Sequence, residues 1–172
     1  MTANRVYLDH AATTDILPAA IDAMVQQMRT GGNPSSLHAI GREARAAVEY
    51  ARERIAQAIG CDAAEVIFTS GGTEADNLAV KGMYWKRHSA DSARRRILVS
   101  SIEHHAVEET CEWLETHQGA VIEWIPVDAQ GLVHPDTVRE LIAKNPADVA
   151  LVTVMWANNE VGTIQPIAEI AQ

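Results

Sequence analysis

The chain has 172 residues, of which 47% are hydrophobic, and this is enough for one ordinary domain with a buried core. A net charge of −9 and the lack of a basic stripe with interleaved aromatic residues exclude a typical nucleic-acid-binding surface. No run is apolar enough to span a bilayer and no secretory leader is recognised, so we expect a cytoplasmic protein without a membrane segment. Cys61 and Cys111 lack the spacing of a zinc site or disulfide scaffold; we expect no metal site and a buried, structural Cys111.

Two helices are predicted first, after an N-terminal segment formed by residues 1–15. Apolar residues recur at helical spacing from Pro18 to Met28 and again over the longer stretch 38–59. Gly60 is expected to end the second helix. His38 and Asn33, just before that helix, either line a pocket entrance or only cap the helix.

From residue 65 onward, strands and helices alternate. This pattern predicts a parallel α/β sheet covered by helices on both faces, with the carboxyl ends of the strands along one ligand-binding edge. The basic run at 94–96 is expected to be a solvated loop. The predicted strands are 65–69, 96–101, 120–127 and 148–155; the predicted helices are 73–87, 105–117, 135–144 and a short one after Pro166.

A pair of glycines lies between the first predicted strand and its helix, in Ser70-Gly71-Gly72-Thr73. Such a turn directs backbone N–H groups and the positive end of the helix dipole to one point, where residues without Cβ let an anion approach. The spacing matches neither a Walker A loop nor G-x-G-x-x-G. The alternative is a plain helix start, in which Thr73 and Asp76 form a capping box.

Polar residues also follow two further predicted strands. Glu103-His104-His105 comes after the strand at 96–101, and the stretch 157–162, which contains Asn158 and Asn159, comes after the strand at 148–155. Because parallel strands end at the same edge, we expect these residues and the glycine turn to share one pocket. His105 alone is expected to be helix surface and Asn158 to shape its turn.

With these motifs in hand, the chain resembles the N-terminal part of the cysteine desulfurases, class V aminotransferase relatives with the fold-type I architecture of pyridoxal-phosphate enzymes. The resemblance implies an incomplete, mostly parallel sheet with helices on both faces, in which residues 16–172 form part of the large cofactor-binding domain, truncated after the fourth strand. Five motifs carry it, in the family's order: Tyr7 to Thr14, Gly32 to His38, Phe68 to Asn77, Glu103 to Val107 and Asn158 to Gly162.

The resemblance also implies roles for four residues. Gly72 and Thr73 would hold the phosphate of pyridoxal 5′-phosphate. His104 would stack on the pyridine ring and assist proton transfer, and Asn159 would bind the cofactor's 3-oxygen. The family removes sulfur from L-cysteine, giving L-alanine and an enzyme persulfide for iron–sulfur cluster assembly. Its partners are a sulfur-accepting or scaffold protein and a second, identical subunit.

The sequence lacks the two residues that form covalent bonds in the family, the cofactor-binding lysine and the persulfide cysteine. No Ser-Gly-His-Lys motif supplies the lysine that binds the cofactor, and Lys81, Lys86 and Lys144 are expected to be solvated surface residues. Neither cysteine matches the position of the family's persulfide cysteine. The chain is therefore expected to be an inactive fragment. The alternatives are a non-catalytic remnant or interaction module, and a selenocysteine lyase or related carbon–sulfur lyase.

Overall fold

The computed structural model describes residues 6–172, which divide into two compact units between Phe68 and Thr69. The predicted segment 1–15 lies partly outside the described residues, and its part from residue 6 onward contains turns but no helix or strand. The first unit comprises α1 (Pro18–Thr30), α2 (Ala39–Ile59) and a 3₁₀ turn at Ala63–Glu65.

The ends of the two helices follow from local sequence. α1 begins at a proline, whose missing N–H is not needed in a first turn. His38 is the N-cap of α2, because its Nδ1 accepts the N–H of Gly41 at 3.2 Å. Gly60 ends α2 in the left-handed conformation, with φ of 75°, as predicted. Of the two roles that the sequence left open for His38, the structure supports capping; Asn33 accepts the N–H of Ser35 and shapes the preceding turn.

The predicted strand at 65–69 is wrong. Glu65 ends the 3₁₀ turn and residues 66–69 form neither helix nor strand. A β-branched run becomes a strand only beside another strand that pairs with its N–H and C=O groups, and no strand within residues 6–172 does so. Instead the Arg52 guanidinium of α2 donates to the carbonyl of Val66 and lies 4.9 Å from the ring centre of Phe68.

The second unit is a three-stranded parallel sheet, in which β1 (Arg96–Ser100) lies between β2 (Val121–Ile125) and β3 (Val149–Thr153). Its helices and strands match the predicted ones within three residues at every end, apart from the missing first strand. Within residues 6–172, no helix has the length and apolar character needed to cross a membrane. The elements are α3 (Gly72–Ala90), β1 (Arg96–Ser100), α4 (His105–Gln118), β2 (Val121–Ile125), α5 (Pro135–Lys144), β3 (Val149–Thr153) and α6 (Ile167–Ile170), with a 3₁₀ turn at Pro146–Asp148.

Helices cover both faces of this sheet, as predicted. Alternate residues of β1 point to opposite faces, so Ile97 and Val99 pack with α3 and α4, whereas Leu98 packs with α5. All three side chains are fully buried. The apolar run of β1 is continuous because each face of this central strand packs into its own hydrophobic cluster. Because all three strands run parallel, their carboxyl ends share one edge.

One member of the basic run contradicts the predicted solvated loop. Arg96 is only 7% exposed and begins β1. Its guanidinium lies 2.6 Å from a carboxylate oxygen of Glu123 and 2.8 Å from one of Asp148, and it also donates to two backbone carbonyls. A buried charge persists only when it is paired and hydrogen-bonded. Arg96 thus links the amino ends of all three strands, a role that sequence position alone does not reveal.

Candidate functional site

A polar cavity of about 380 Å³ lies at the carboxyl edge of the sheet, where β1 and β3 end. It contains His104 and Asn159, two of the four predicted site residues. Gly72 and Thr73 are not among its lining residues; they lie at the start of α3, outside the cavity. The lining consists of Ser101 to His105, Glu108 and Asn158 to Val161.

The start of α3 differs from the capping box that the sequence offered as an alternative. The helix begins at Gly72 with Gly71 as its N-cap, so Thr73 is already inside the first turn and caps nothing. Glu74 instead folds back, and its Oε2 accepts from the N–H and the hydroxyl of Ser70 at 2.7 and 2.6 Å. These two bonds lower the pKa of Glu74. A Cβ built on Gly71 or Gly72 would meet no heavy atom within 4 Å, so open space faces the backbone there.

His104 is held at the start of α4 as its N-cap. Its Nδ1 accepts the N–H of Ala106 at 3.1 Å. The hydrogen bond requires an unprotonated Nδ1, which leaves the proton of the neutral ring on Nε2. The ring of His105 lies 4.0 Å away, centre to centre, tilted by 30°. His105 is exposed in the first turn of α4, as predicted, although it also lines the cavity.

Asn158 organises the loop that presents Asn159. Its Oδ1 accepts the N–H groups of Glu160 and Val161, each at 2.9 Å, and Gly162 closes the loop with φ of 77°. Its Nδ2 donates at 2.9 Å to the carbonyl of Ile102, in the loop after β1. Asn158 therefore shapes its turn, as predicted, and also contacts the neighbouring loop. Asn159 is exposed toward the cavity that it helps to line.

Glu103 belongs to a polar stretch that was expected to share the pocket, and it lines the cavity, but its burial and its bond to the neighbouring loop were not predicted. Its Oε1 accepts the backbone N–H of Met155 at 2.6 Å. Burial, together with the smaller effect of the nearby carboxylates of Asp76 and Glu108, raises the pKa of Glu103 to about 7, against the opposing effect of the Met155 hydrogen bond. In the sequence, Glu103 is only a carboxylate between a strand end and a histidine, and this pattern does not tell a buried glutamate from an exposed one.

The three lysines lie away from the cavity. Lys86 and Lys144 are exposed, as predicted, and Lys144 pairs with Glu123 at the opposite edge of the sheet. Lys81 is half-buried rather than fully solvated, since its Nζ lies 4.4 Å from the ring centre of Trp113. Such a cation–π contact accounts for its partial burial.

The cysteines also lie outside the cavity. Cys111 is fully buried in the core between the sheet and its helices, and burial raises the pKa of its thiol to about 12. It is a structural thiol, as predicted. Cys61 is half-buried in the first unit.

Comparison with known proteins assigns the chain to a family. The family model for aminotransferase class V matches residues 6–172. The IscS-like cysteine desulfurase of Mycobacterium tuberculosis is 57% identical over 165 residues, covering 96% of this chain and 42% of that protein. Cysteine desulfurase IscS of Dictyoglomus turgidum is 46% identical over 168 residues, covering 97% and 41%.

Solved structures of related proteins have the same fold as this chain. A NifS-like protein superimposes with a TM-score of 0.88 at 37% identity, covering 97% of this chain and 44% of that one. A structure described as SspA in complex with cysteine gives 0.85 at 36% identity, covering 95% and 46%. The chain spans about two fifths of the length of the curated relatives it matches. It belongs to the class V aminotransferase family and corresponds to the N-terminal portion of cysteine desulfurases of the IscS and NifS type.

Proposed function

We propose that this chain forms one wall of the cofactor site of a pyridoxal-phosphate-dependent cysteine desulfurase. The observation that carries the proposal is the presence of His104 and Asn159 in one cavity at the carboxyl edge of a parallel sheet. Ligands of such sheets bind at this edge. The relatives named above supply the reaction class, since they are named cysteine desulfurases.

The start of α3 fits a phosphate group, although it lies outside the cavity. The first N–H groups of a helix have no partner within it, and the dipole favours a negative charge there. Open space where a Cβ would stand on Gly72 lets an anion approach the backbone, and Thr73 adds a hydroxyl in the same turn. The cavity itself is lined by Glu108 and Glu160, whose negative charges disfavour a phosphate. We therefore assign the phosphate to Gly72 and Thr73 and the aromatic ring to the cavity.

In this proposal, residues of the chain bind the cofactor and orient it. His104, fixed by its bond to Ala106, offers a flat ring and an Nε2–H donor, whereas proton uptake at Nδ1 would break the N-cap. Stacking is therefore its main role, and any proton transfer involves loss of the cap bond. Asn159 offers a neutral amide that binds an oxygen without adding charge. The bound cofactor would withdraw electrons from the substrate's α-carbon.

The proposed reaction transfers sulfur from L-cysteine to an acceptor thiol. The carbon–sulfur bond breaks, a sulfur–sulfur bond forms, and the products are L-alanine and a persulfide. The acceptor protein, a role in iron–sulfur cluster assembly, a homodimer and a cytoplasmic location belong to this proposal. Neither the lysines nor the cysteines lie at the cavity of the described residues. We therefore propose that the 172 residues alone do not turn over cysteine.

A chimera tests the proposal. Residues 1–172 would replace the matching part of the mycobacterial relative, and cysteine-dependent alanine formation would be measured. We expect activity in the chimera and none in the 172-residue chain. His104→Asn keeps an N-cap acceptor but removes the ring, and Thr73→Val removes only the hydroxyl. The first should lower kcat/KM by about 10- to 100-fold and the second should weaken cofactor affinity by about tenfold.

His117→Asn is the matched control, because this histidine lies in the last turn of α4 and is exposed. It should leave the activity unchanged. An inactive but folded chimera, or equal effects of the substitutions at His104 and His117, would refute the proposed function.

A further inference from the structure

Two hydrogen bonds of opposite direction join the loops that follow β1 and β3. The Glu103 carboxylate, in the first loop, accepts the Met155 N–H at 2.6 Å. The Asn158 amide, in the second loop, donates to the Ile102 carbonyl at 2.9 Å. The strands end at Ser100 and Thr153, so these bonds extend the pairing beyond the sheet, where no ladder holds the backbone. We call Glu103 and Asn158 together the loop clamp.

Each member of the loop clamp directly precedes a residue of the proposed site. Glu103 is followed by His104, whose ring is fixed by its own bond to Ala106, and Asn158 is followed by Asn159. Asn158 also fixes the rest of its loop through the N–H groups of Glu160 and Val161. A change in either clamp bond therefore shifts one site residue relative to the other.

We propose that Glu103 and Asn158 are positioning residues, which set the distance between the His104 ring and the Asn159 amide through the two bonds of the loop clamp. The proposal rests on the proposed function, since it concerns the same site. Neither clamp residue needs to touch the substrate or cofactor. A displacement of about 1 Å at a reacting group can cost roughly 100-fold in rate, so a clamp of this kind has a measurable effect.

The charges around Glu103 make the clamp sensitive to pH. Asp76 approaches from α3 and Glu108 from α4, while His104 and His105 adjoin it in sequence and Cys111 lies nearby in the core. The partial burial and, to a smaller extent, the carboxylates favour the protonated acid, which accepts the Met155 N–H less strongly than a carboxylate does. The clamp bond should therefore be stronger above about pH 7 than below it.

Three substitutions separate the clamp from the folding of its loops. Glu103→Leu removes the acceptor for Met155, whereas Glu103→Gln keeps a neutral acceptor. Asn158→Asp keeps the acceptor for the turn but loses the donor to Ile102. Glu109→Leu, at an exposed position of α4 outside the cavity, is the matched control.

In the chimera described above, E103L and N158D should each lower kcat/KM by about 10- to 100-fold per folded molecule. The double variant should be little worse than either single one, because the two bonds act as a unit. E103Q should keep most of the activity but lose a pH dependence near pH 7, and E109L should match the parent. If kcat/KM falls only in proportion to the fraction of protein that is folded, the proposal is overturned.

Nuclear magnetic resonance of the 172-residue chain gives a readout independent of activity. The ring signals of His104 and the side-chain amide signals of Asn159 should both move in E103L and in N158D, but not in E109L. The Met155 amide proton should titrate near pH 7 in the parent and not in E103Q. Unmoved His104 and Asn159 signals would refute the clamp. If the chimera is inactive but the His104 and Asn159 signals of the 172-residue chain move in E103L and N158D as expected, the proposed function is refuted and the clamp is not.

Discussion

Replacing Glu103 by glutamine should change how the stability of the second unit depends on pH. The glutamine oxygen can still accept the Met155 N–H, so the main difference is the loss of a titratable charge. Folding raises the pKa of Glu103 from 4.5 to about 7. A raised pKa means that the folded state favours the protonated acid. The resulting stabilisation is complete below about pH 4.5 and is lost as the pH rises through about 7.

The size of the effect follows from the pKa. Each tenfold change in the protonation equilibrium corresponds to about 1.4 kcal/mol, so the rise to about 7 sets an upper limit of roughly 3 kcal/mol. Glu103 is only partly buried, so water screens its charge and the real free-energy change is smaller than this limit. We expect about 1–2 kcal/mol of stability to be lost between pH 4.5 and pH 7 in the parent and not in E103Q.

Urea unfolding followed by tryptophan fluorescence measures this difference. All four tryptophans lie in the second unit, so the signal reports on the fold that contains Glu103. The free energies of unfolding would be compared at pH 5, 6, 7 and 8, with Glu109→Gln as the control at an exposed position. Parallel curves for the parent and E103Q over this range would refute the reasoning, since the carboxyl would then titrate alike in the folded and unfolded chain.

Arg96→Met should lower the free energy of unfolding by roughly 2–4 kcal/mol in the same assay, because it removes the ion-pair partner of Asp148 and one of the two partners of Glu123, while Arg139→Met, in an exposed pair, should cost less than about 1 kcal/mol. Equal costs would contradict the buried network. Iodoacetamide should label Cys61 and spare Cys111 until urea unfolds the chain, as mass spectrometry would report; rapid labelling of native Cys111 would contradict its burial. Borohydride treatment of the 172-residue chain with pyridoxal phosphate should give no adduct at one specific lysine, and peptide mapping that finds a single modified lysine would contradict this.

The local motifs made much of the second unit predictable. Its helices carry apolar periodicity, strongest in α5, and glycine or proline lies at several helix ends, as at Gly119 and Pro135. These features act through neighbouring backbone, so they can be read without the fold. The same holds for the turn around Asn158, which its own side chain forms.

The misread elements depend on partners that are distant in sequence. Residues 66–69 have strand-forming side chains but no pairing strand within the described residues. Arg96 is a basic residue in a basic run, and only β2 and the turn before β3 supply the carboxylates that keep it buried. The sequence shows composition at each position, whereas burial and pairing are properties of the whole fold.

The amino-acid sequence by itself determined the family, the parallel architecture and the two polar stretches that line the cavity, because short motifs and periodicity encode local geometry. Only the tertiary structure decided that Glu103 is partly buried, bonded to Met155 and surrounded by carboxylates, and that Gly72 and Thr73 lie outside the cavity of His104 and Asn159. The physical reason is that a pKa and a hydrogen bond between loops depend on distances through space. These distances are set when the strands pair.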